Sequence, residues 1–479
     1  MNLNRRQFAH LAAAAAALRA ARWETASDYN ERLRPQFHFS PKKGWTNDPN
    51  GLVFYKGEYH MFFQHNPFDV KWGNMTWGHA VSPDMVHWTQ LDDALHPDSM
   101  GTMFSGSAVV DWNNTAGFEK GGEKTIVLIY TAAGGTSPES AGHPFTQCIA
   151  YSTDRGRTFT KYSGNPVVPN IVGSNRDPKV TWHAPTRKWV MALFLDGTTY
   201  GFLSSPDLKN WTLIETMSVP DTRECPDFFE IAVEDEPGRK KWVWTGANGN
   251  YLVGEFDGKR FAPEVMTQPL HKGTNYYAVQ TFSDLPDGRR VQVAWMNGGQ
   301  YPGMPFNQQM SCPYELQLRK YGYKSYRLFA FPIHEIDALR GQPRTWKDVT
   351  VAPGQNPLAG MTGDTWDVVA EIEPGTAREF GFNIRGRKVN YTLQEGIRDG
   401  VLASGQHSSE LGLRNGKLEL RILVDRTSVE AFGNGGEVAI PSCFLPEEKD
   451  LGLAFYSAGG AARIASLQIY PMRSCWRQG

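Results

Sequence analysis

Short runs of alternating hydrophobic and polar positions cover most of the chain, and turns rich in Gly, Asn and Asp separate them. Alternation with a period of two is typical of β-strands, and helical periodicity is scarce. Residues 51–55 and 59–64 predict a β-hairpin, as do residues 180–183 and 188–194. Residues 125–130 and 291–296 predict further short strands. The pattern therefore predicts an all-β protein.

A polar motif that ends in an aromatic residue recurs along the first part of the chain. It occupies residues 82–88, 152–159 and 205–211, with a shortened copy at residues 257–261. Each copy follows an apolar strand, and such a repeat is typical of propeller blades. Five blades fit between residues 36 and 335, although unrelated hairpin turns are the alternative explanation of the repeat.

The composition changes near residue 338, and residues 340–344 have the character of a linker. Beyond them, residues 366–372, 417–424, 428–432 and 451–456 alternate as strands and predict a β-sandwich. A chain of 479 residues also favours two domains. We expect a five-bladed β-propeller over residues 30–337, followed by a β-sandwich over residues 338–479.

The first 22 residues predict an export signal. Arg5 and Arg6 precede a weakly apolar, alanine-rich run that ends near Leu18, and Arg19 and Arg22 follow. This pattern resembles a twin-arginine signal, which predicts a periplasmic or extracellular protein. The run is too short to span a bilayer. An alanine-rich helix that stays attached is the alternative.

The charge balance and the cysteines exclude several classes of function. Lys and Arg number 49 against 50 Asp and Glu, so the chain lacks the positive surface charge typical of proteins that bind nucleic acid or anionic membranes. Five cysteines without CxxC spacing argue against a metal site and a disulfide framework. We expect no cofactor, no metal, no nucleic-acid partner and no stable membrane insertion. The sequence does not indicate the oligomeric state.

Three carboxylates lie in short polar runs, each next to a proline or one residue away from one: Asp48, Asp177 and Glu224. Glycoside hydrolysis requires two carboxyl groups, one of them neutral near the working pH. An ionised Asp48 beside Asn47 suits a nucleophile. Nearby aspartates would raise the pKa of Glu224, and Arg223 would oppose that rise if its side chain points inward. Cys225 would donate to Glu224 or pack beneath it. For each carboxylate alone, a turn cap or a surface ion pair is the alternative.

Residues 47–51, 176–178 and 224–225, with residues 62–67 and 304–310, resemble the motifs of glycoside hydrolase family 32, the invertases, levanases and inulinases. The resemblance implies a five-bladed propeller with a funnel-shaped site and a covalent fructosyl-enzyme. It implies that Asp48 is the nucleophile, Glu224 the acid/base and Asp177 the transition-state stabiliser. It also implies that the fructose-binding residues are Asn47, Gln64, Trp72, Phe104, Ser105, Arg176, Tyr277 and Trp295.

By this resemblance the protein is expected to be an exo-acting hydrolase that removes terminal β-D-fructofuranosyl residues from sucrose or fructans, with water as second substrate. Three alternatives stay open: a fructosyltransferase, an inverting arabinan or xylan hydrolase on a similar propeller, and a non-catalytic carbohydrate-binding protein. Thr46 stands where many family members have Met, a departure that we expect to be tolerated. Residues 296–301 also depart from the pattern of many members, which leaves the leaving-group preference open.

Overall fold

The computed structural model describes residues 29–322, 325–394, 399–447 and 449–476. In this part of the chain, strands form seven sheets, and the helical elements are two short 3-10 helices, Pro138–Ser140 and His334–Leu339. The predicted all-β fold is confirmed. The signal predicted over residues 1–22 lies outside the described residues. No helix in the described ranges is both long enough and apolar enough to cross a membrane.

The first five sheets each contain four or five strands. The first contains Gly44–Tyr55, Glu58–Asn66, Thr76–Ser82, Thr89–Gln90 and Phe306–Asn307; the second Thr102–Asp111, Thr125–Ala133, Phe145–Ser152 and Thr160–Lys161; the third Arg176–His183, Lys188–Asp196, Thr199–Ser205 and Thr212–Ser218; the fourth Asp227–Ala232, Lys240–Thr245, Asn250–Phe256, Phe261–Pro263 and Gln268–Pro269; and the fifth Tyr277–Thr281, Arg290–Trp295, Tyr314–Lys320 and Tyr326–Pro332.

These five sheets are arranged as the blades of a propeller. The innermost strand of each sheet contacts the innermost strands of its two neighbours, so the five strands form a closed ring. Phe306 and Asn307 close the ring by pairing in parallel with Gly44 and Trp45 of the first blade. The first residues of the innermost strands gather at one end of the ring, and their last residues gather at the other. The predicted propeller is confirmed.

The repeated sequence motif forms the same turn in the first four blades, between the third and fourth strands. Its aspartates are Asp84, Asp154, Asp207 and Asp257, and each accepts hydrogen bonds from backbone N–H groups two to four positions further on. Aspartate favours such turns because its short carboxylate can replace a backbone acceptor. The copies of the sequence motif therefore form equivalent, hydrogen-bonded turns in these four blades.

The last two sheets form the β-sandwich. Their inner faces enclose a separate core in which Phe382 and Phe455 are fully buried. The six-stranded sheet contains Arg344–Val351, Ala462–Pro471, Trp366–Glu373, Leu418–Val424, Ser428–Gly433 and Val438–Cys443, and the five-stranded sheet contains His407–Gly412, Asp399–Ser404, Arg387–Leu393, Glu379–Ile384 and Leu453–Ala458. The β-sandwich is confirmed, whereas the boundary between residues 337 and 338 stays a prediction.

A buried histidine joins the segment before the first blade to the sandwich. His38 Nδ1 lies 2.8 Å from Asp425 Oδ2, and its Nε2 lies 2.6 Å from Glu430 Oε2. Tyr314 of the fifth blade donates to Glu430 Oε1 at 2.6 Å. Burial disfavours the charged imidazolium, but the two carboxylates outweigh burial and raise the pKa of His38 to about 9. His38 therefore acts as a buried cation between two anions.

Candidate active site

The three predicted carboxylates meet in one cavity of about 230 Å³ at the end of the ring where the innermost strands begin. Asp48 lies in strand Gly44–Tyr55 of the first blade, and Asp177 lies in strand Arg176–His183 of the third. Glu224 lies in the turn that leads into strand Asp227–Ala232 of the fourth. The cavity therefore depends on three blades for its acidic groups.

All of the predicted binding residues line the same cavity as the three carboxylates. The second blade contributes Phe104 and Ser105, and Trp72 stands at the rim with 56% of its surface exposed. Met75 is a lining residue that the sequence analysis missed. The full lining is Asn47, Asp48, Gln64, Trp72, Met75, Phe104, Ser105, Arg176, Asp177, Glu224, Tyr277 and Trp295.

Three donors hold the carboxylate of Asp48 in place. Ser105 Oγ donates to Oδ2 at 2.6 Å, Cys225 Sγ approaches the same oxygen at 3.5 Å, and Asn47 Nδ2 donates to Oδ1 at 3.1 Å. Trp45 Nε1 fixes the Asn47 amide by donating to its oxygen at 2.9 Å. Burial raises the pKa of Asp48, and the hydrogen bond from Ser105 limits this rise. The carboxylate is thus held in one orientation.

Asp177 is the most enclosed of the three carboxylates, with 5% of its surface exposed. Its Oδ2 accepts hydrogen bonds from Cys225 N at 3.0 Å and Cys225 Sγ at 3.4 Å. Burial raises the pKa of Asp177 to about 7; the charge of Arg176 opposes this rise, and the charges of Glu224 and Asp48 reinforce it.

Cys225 connects two of the carboxylates. Burial and the neighbouring negative charges raise the pKa of its thiol, so the sulfur stays protonated and can donate to Asp48 and Asp177. Of the two alternatives for Cys225, donation to Glu224 was therefore wrong, because the sulfur's hydrogen bonds go to the two aspartates. Glu224 and Cys225 both have positive φ, and with this backbone conformation the sulfur contacts the two aspartates.

Glu224 is held by Arg176 and Tyr277. Arg176 Nη2 donates to Oε2 at 2.8 Å, and Tyr277 Oη donates to Oε1 at 2.7 Å. Burial and the charge of Glu224 raise the pKa of Tyr277, which keeps its hydroxyl protonated as a donor. Arg223, the cation considered from the sequence, is exposed, and Arg176 pairs with Glu224 in its place.

Comparison with protein families identifies a matching family for both parts of the chain. Residues 38–332 match the glycosyl hydrolases family 32 N-terminal domain, and residues 335–471 match the glycosyl hydrolases family 32 C-terminal domain. The chain belongs to glycosyl hydrolase family 32. It is therefore a glycoside hydrolase, and the resemblance read from its motifs is confirmed.

Two relatives and two solved structures illustrate this family 32 membership. The chain is 41% identical to a levanase of Bacillus subtilis over 94% of its own length and 72% of the levanase. It is 31% identical to the extracellular exo-inulinase of Aspergillus awamori, over 94% of the chain and 96% of that protein. The crystal structure of an Aspergillus awamori exo-inulinase has a TM-score of 0.83 at 30% identity, covering 94% of this chain and all of that one. The fructose complex of a fructofuranosidase from Schwanniomyces occidentalis has a TM-score of 0.81 at 27% identity, covering 94% and 99%.

The backbone around the family 32 carboxylates is strained. Asp177, Glu224, Cys225 and Ala278 have φ values of +64°, +29°, +40° and +52°. Each such conformation costs a residue with a Cβ about 1–3 kcal/mol, and it persists only where the surroundings enforce it. Strain of this kind is concentrated at functional sites, but the residue types gave no sign of it in the sequence.

A wider depression of about 800 Å³ adjoins the cavity. The two spaces share Arg176, Glu224 and Tyr277, and the depression extends to Asp221 and Asn248. Glu224 therefore stands at the border between a space for one sugar ring and a space for a longer group. In the described parts of the chain, no cluster of three or more His, Cys, Asp or Glu side chains has the geometry of a metal site.

Proposed function

We propose that this family 32 chain is a retaining, exo-acting β-fructofuranosidase that removes terminal fructosyl residues from fructan or sucrose. The proposal rests on the position of Glu224. A terminal fructosyl ring fits the small cavity beside Asp48, and its leaving group lies in the adjoining depression. The glycosidic oxygen then lies at the border, where Glu224 can protonate it.

The reaction follows from two carboxyl groups in different surroundings. Asp48 attacks the anomeric carbon while Glu224 gives its proton to the glycosidic oxygen, and the bond to the leaving group breaks. The products are the free leaving group and a fructosyl ester of Asp48. Glu224 then accepts a proton from water, the water oxygen attacks the same carbon, and the ester bond to Asp48 breaks. Two displacements at one carbon retain its configuration.

The remaining polar groups suit the binding of ring hydroxyls. Asp177 has carboxylate oxygens that can accept hydrogen bonds, which strengthen as positive charge develops on the ring. Gln64 is buried, and within the described residues its Nε2 has no hydrogen-bond partner. An unsatisfied buried donor is costly, so a sugar hydroxyl at this position would stabilise the complex. Trp72 at the rim offers an apolar surface to the ring.

The relatives support a fructan substrate, since they include a levanase and an exo-inulinase, and a solved relative holds fructose. The small cavity supports exo action, because it has room for a chain end and not for a continuous chain. We further propose that residues 1–22 direct export. The extracellular exo-inulinase among the relatives supports this assignment.

Product analysis tests the proposal. Purified protein is incubated with sucrose, inulin and levan, and the products are resolved over time. Free fructose is expected first from each substrate; oligosaccharides as first products would contradict exo action. NMR of the newly released fructose is expected to show the β-anomer, whereas the α-anomer would indicate inversion. Transfer products that exceed free fructose at high sucrose would favour the fructosyltransferase.

Substitution of the two reacting carboxylates tests their roles. We expect Asp48→Asn and Glu224→Gln each to reduce kcat by at least about a thousandfold, since each removes a reacting group. Glu230→Gln is a matched control: Glu230 lies in strand Asp227–Ala232 of the same blade as Glu224 and pairs with surface Lys240. It is expected to keep full activity. Undiminished fructose release by Glu224→Gln would overturn the assignment.

A further inference from the structure

A second pocket, here called the rear pocket, lies at the other end of the propeller ring. Its volume is about 280 Å³, and its walls come from the second to fifth blades, including Val109 and Val110 near the end of one innermost strand and residues 281–285 at the end of another. Lys179 lies two residues after Asp177, further along the same innermost strand. Lys179 pairs with Asp227 at 3.1 Å and donates to Thr281 O at 2.7 Å. This buried pair separates the rear pocket from the catalytic cavity.

The mouth of the rear pocket carries an aromatic surface, an acceptor and a donor. Trp112 is 49% exposed, and its Nε1 donates to Asp284 Oδ1 at 2.9 Å. Arg290 Nε donates to the Glu230 carbonyl at 2.6 Å, and among the described residues its two terminal amino groups donate to no acceptor. Arg290 and Asp284 both line the pocket, and in the described part of the chain no ion pair joins them. The terminal amino groups of Arg290 can therefore donate to a ligand. Asp284 Oδ2 accepts from Val110 N at 3.1 Å, but each carboxylate oxygen has a second lone pair that can accept from a ligand.

We propose that the rear pocket is a secondary, non-catalytic binding site for a sugar unit of the fructan. The inference rests on the proposed function, which makes fructan the substrate. The rear pocket is similar in volume to the catalytic cavity, so a ring that fits one fits the other. Hydroxyl groups both donate and accept hydrogen bonds, which matches an arginine beside a carboxylate, and the face of Trp112 can cover the apolar side of a sugar ring.

The charges of the rear pocket favour a neutral ligand over an anion. The charge of Lys179 is compensated by Asp227, and Arg290 and Asp284 bring opposite charges to the same lining. A phosphate or carboxylate would gain from Arg290 but would be repelled by Asp284. Asp284 is the one acidic residue among the lining residues, so the pair of carboxyl groups that hydrolysis requires is lacking in this lining.

A second point of attachment changes how the enzyme acts on a polymer. A chain held at the rear pocket raises the local concentration of its other branches and ends near the catalytic cavity. A single sucrose molecule is too short to be held at the rear pocket while it reacts in the catalytic cavity, so it gains nothing from the second site. Loss of the rear pocket should therefore affect polymer hydrolysis and spare sucrose hydrolysis.

Trp112→Ala tests the proposal, with Leu213→Ala as a matched control because Leu213 is another exposed hydrophobic residue, on the third blade. In native gels that contain levan or inulin, Trp112→Ala is expected to be retarded less than the parent and the control. Its KM for the polymer is expected to rise about threefold or more, with kcat/KM for sucrose unchanged. Trp112→Phe, which keeps an aromatic ring, is expected to recover part of the retardation.

Two results would overturn the inference. One is equal retardation of Trp112→Ala and the parent; the other is a parallel loss of sucrose and polymer hydrolysis, which would indicate structural damage. Displacement of the parent from the polymer by millimolar inorganic phosphate, absent in Trp112→Ala, would assign the pocket to anions instead. A parent that hydrolyses neither sucrose nor fructan would refute the proposed function, whereas an active parent with an unaffected Trp112→Ala refutes the rear pocket alone.

Discussion

Replacement of His38 by glutamine tests how the sandwich is held against the propeller. His38 is a buried cation between Asp425 and Glu430. A pKa raised from 6.5 to about 9 corresponds to about 3 kcal/mol of folding free energy. Because the folded-state pKa is the higher one, this contribution is fully present below pH 6.5. It is lost as the pH rises through about 9, where the folded protein also releases the proton.

The magnitude can be measured by urea unfolding followed through tryptophan fluorescence at pH 6 and pH 10. At pH 6 we expect His38→Gln to be about 3–5 kcal/mol less stable than the parent, because it leaves two buried carboxylates without their cation. At pH 10 the parent has lost its own contribution, so the difference between the two proteins should shrink by about 3 kcal/mol.

His87→Gln is the matched control. His87 also contacts a carboxylate, Asp84 at 2.7 Å, but both side chains are about one-third exposed. Solvent screens such a pair, so the control should stay within about 1 kcal/mol of the parent at both pH values. If the parent and His38→Gln lose stability equally between pH 6 and pH 10, His38 is not the buried cation described here.

Three further predictions concern the catalytic cavity. Ser105→Ala removes the shortest hydrogen bond to the Asp48 carboxylate, so the pKa of Asp48 should rise further. The acidic limb of the kcat/KM–pH profile should therefore move to higher pH, and kcat should fall about tenfold. An unchanged profile would argue against Asp48 as the ionised group. Tyr277→Phe removes the hydroxyl that orients Glu224 and should lower kcat about tenfold to a hundredfold while the melting temperature stays the same; full activity would show that Arg176 alone suffices. EDTA should leave fructose release unchanged, since the described residues hold no metal cluster, and a loss restored by added Mg²⁺ or Ca²⁺ would refute this.

The elements of the fold that are repeated or strongly alternating could be predicted from the sequence. The motif at residues 82–88 and its copies indicated equivalent turns, because the local chemistry of aspartate determines the turn without help from the rest of the chain. The lining residues of the cavity were predicted through family motifs. Alternation alone would not have separated Trp295 in the cavity from Trp244 in a blade core, since both lie in apolar strands.

Contacts between distant segments could not be predicted. Arg176 pairs with Glu224 across two blades, whereas the sequence suggested the adjacent Arg223. Cys225 contacts two aspartates because the backbone at residues 224 and 225 adopts positive φ, a conformation that the residue types do not indicate. His38 meets partners almost four hundred residues away, and an isolated histidine in an apolar segment carries no signal of such a partner.

The distribution of the three carboxylates over separate blades makes catalysis a sensitive reporter of ring geometry. A slight shift of one blade against its neighbour would leave every sheet, and thus the circular dichroism signal, almost unaltered. The same shift would pull one carboxylate out of reach of the fructosyl unit. In a urea titration, fructose release should therefore cease at a lower urea concentration than the one at which β-structure is lost. The difference between the two urea midpoints measures how firmly adjacent blades are held against each other.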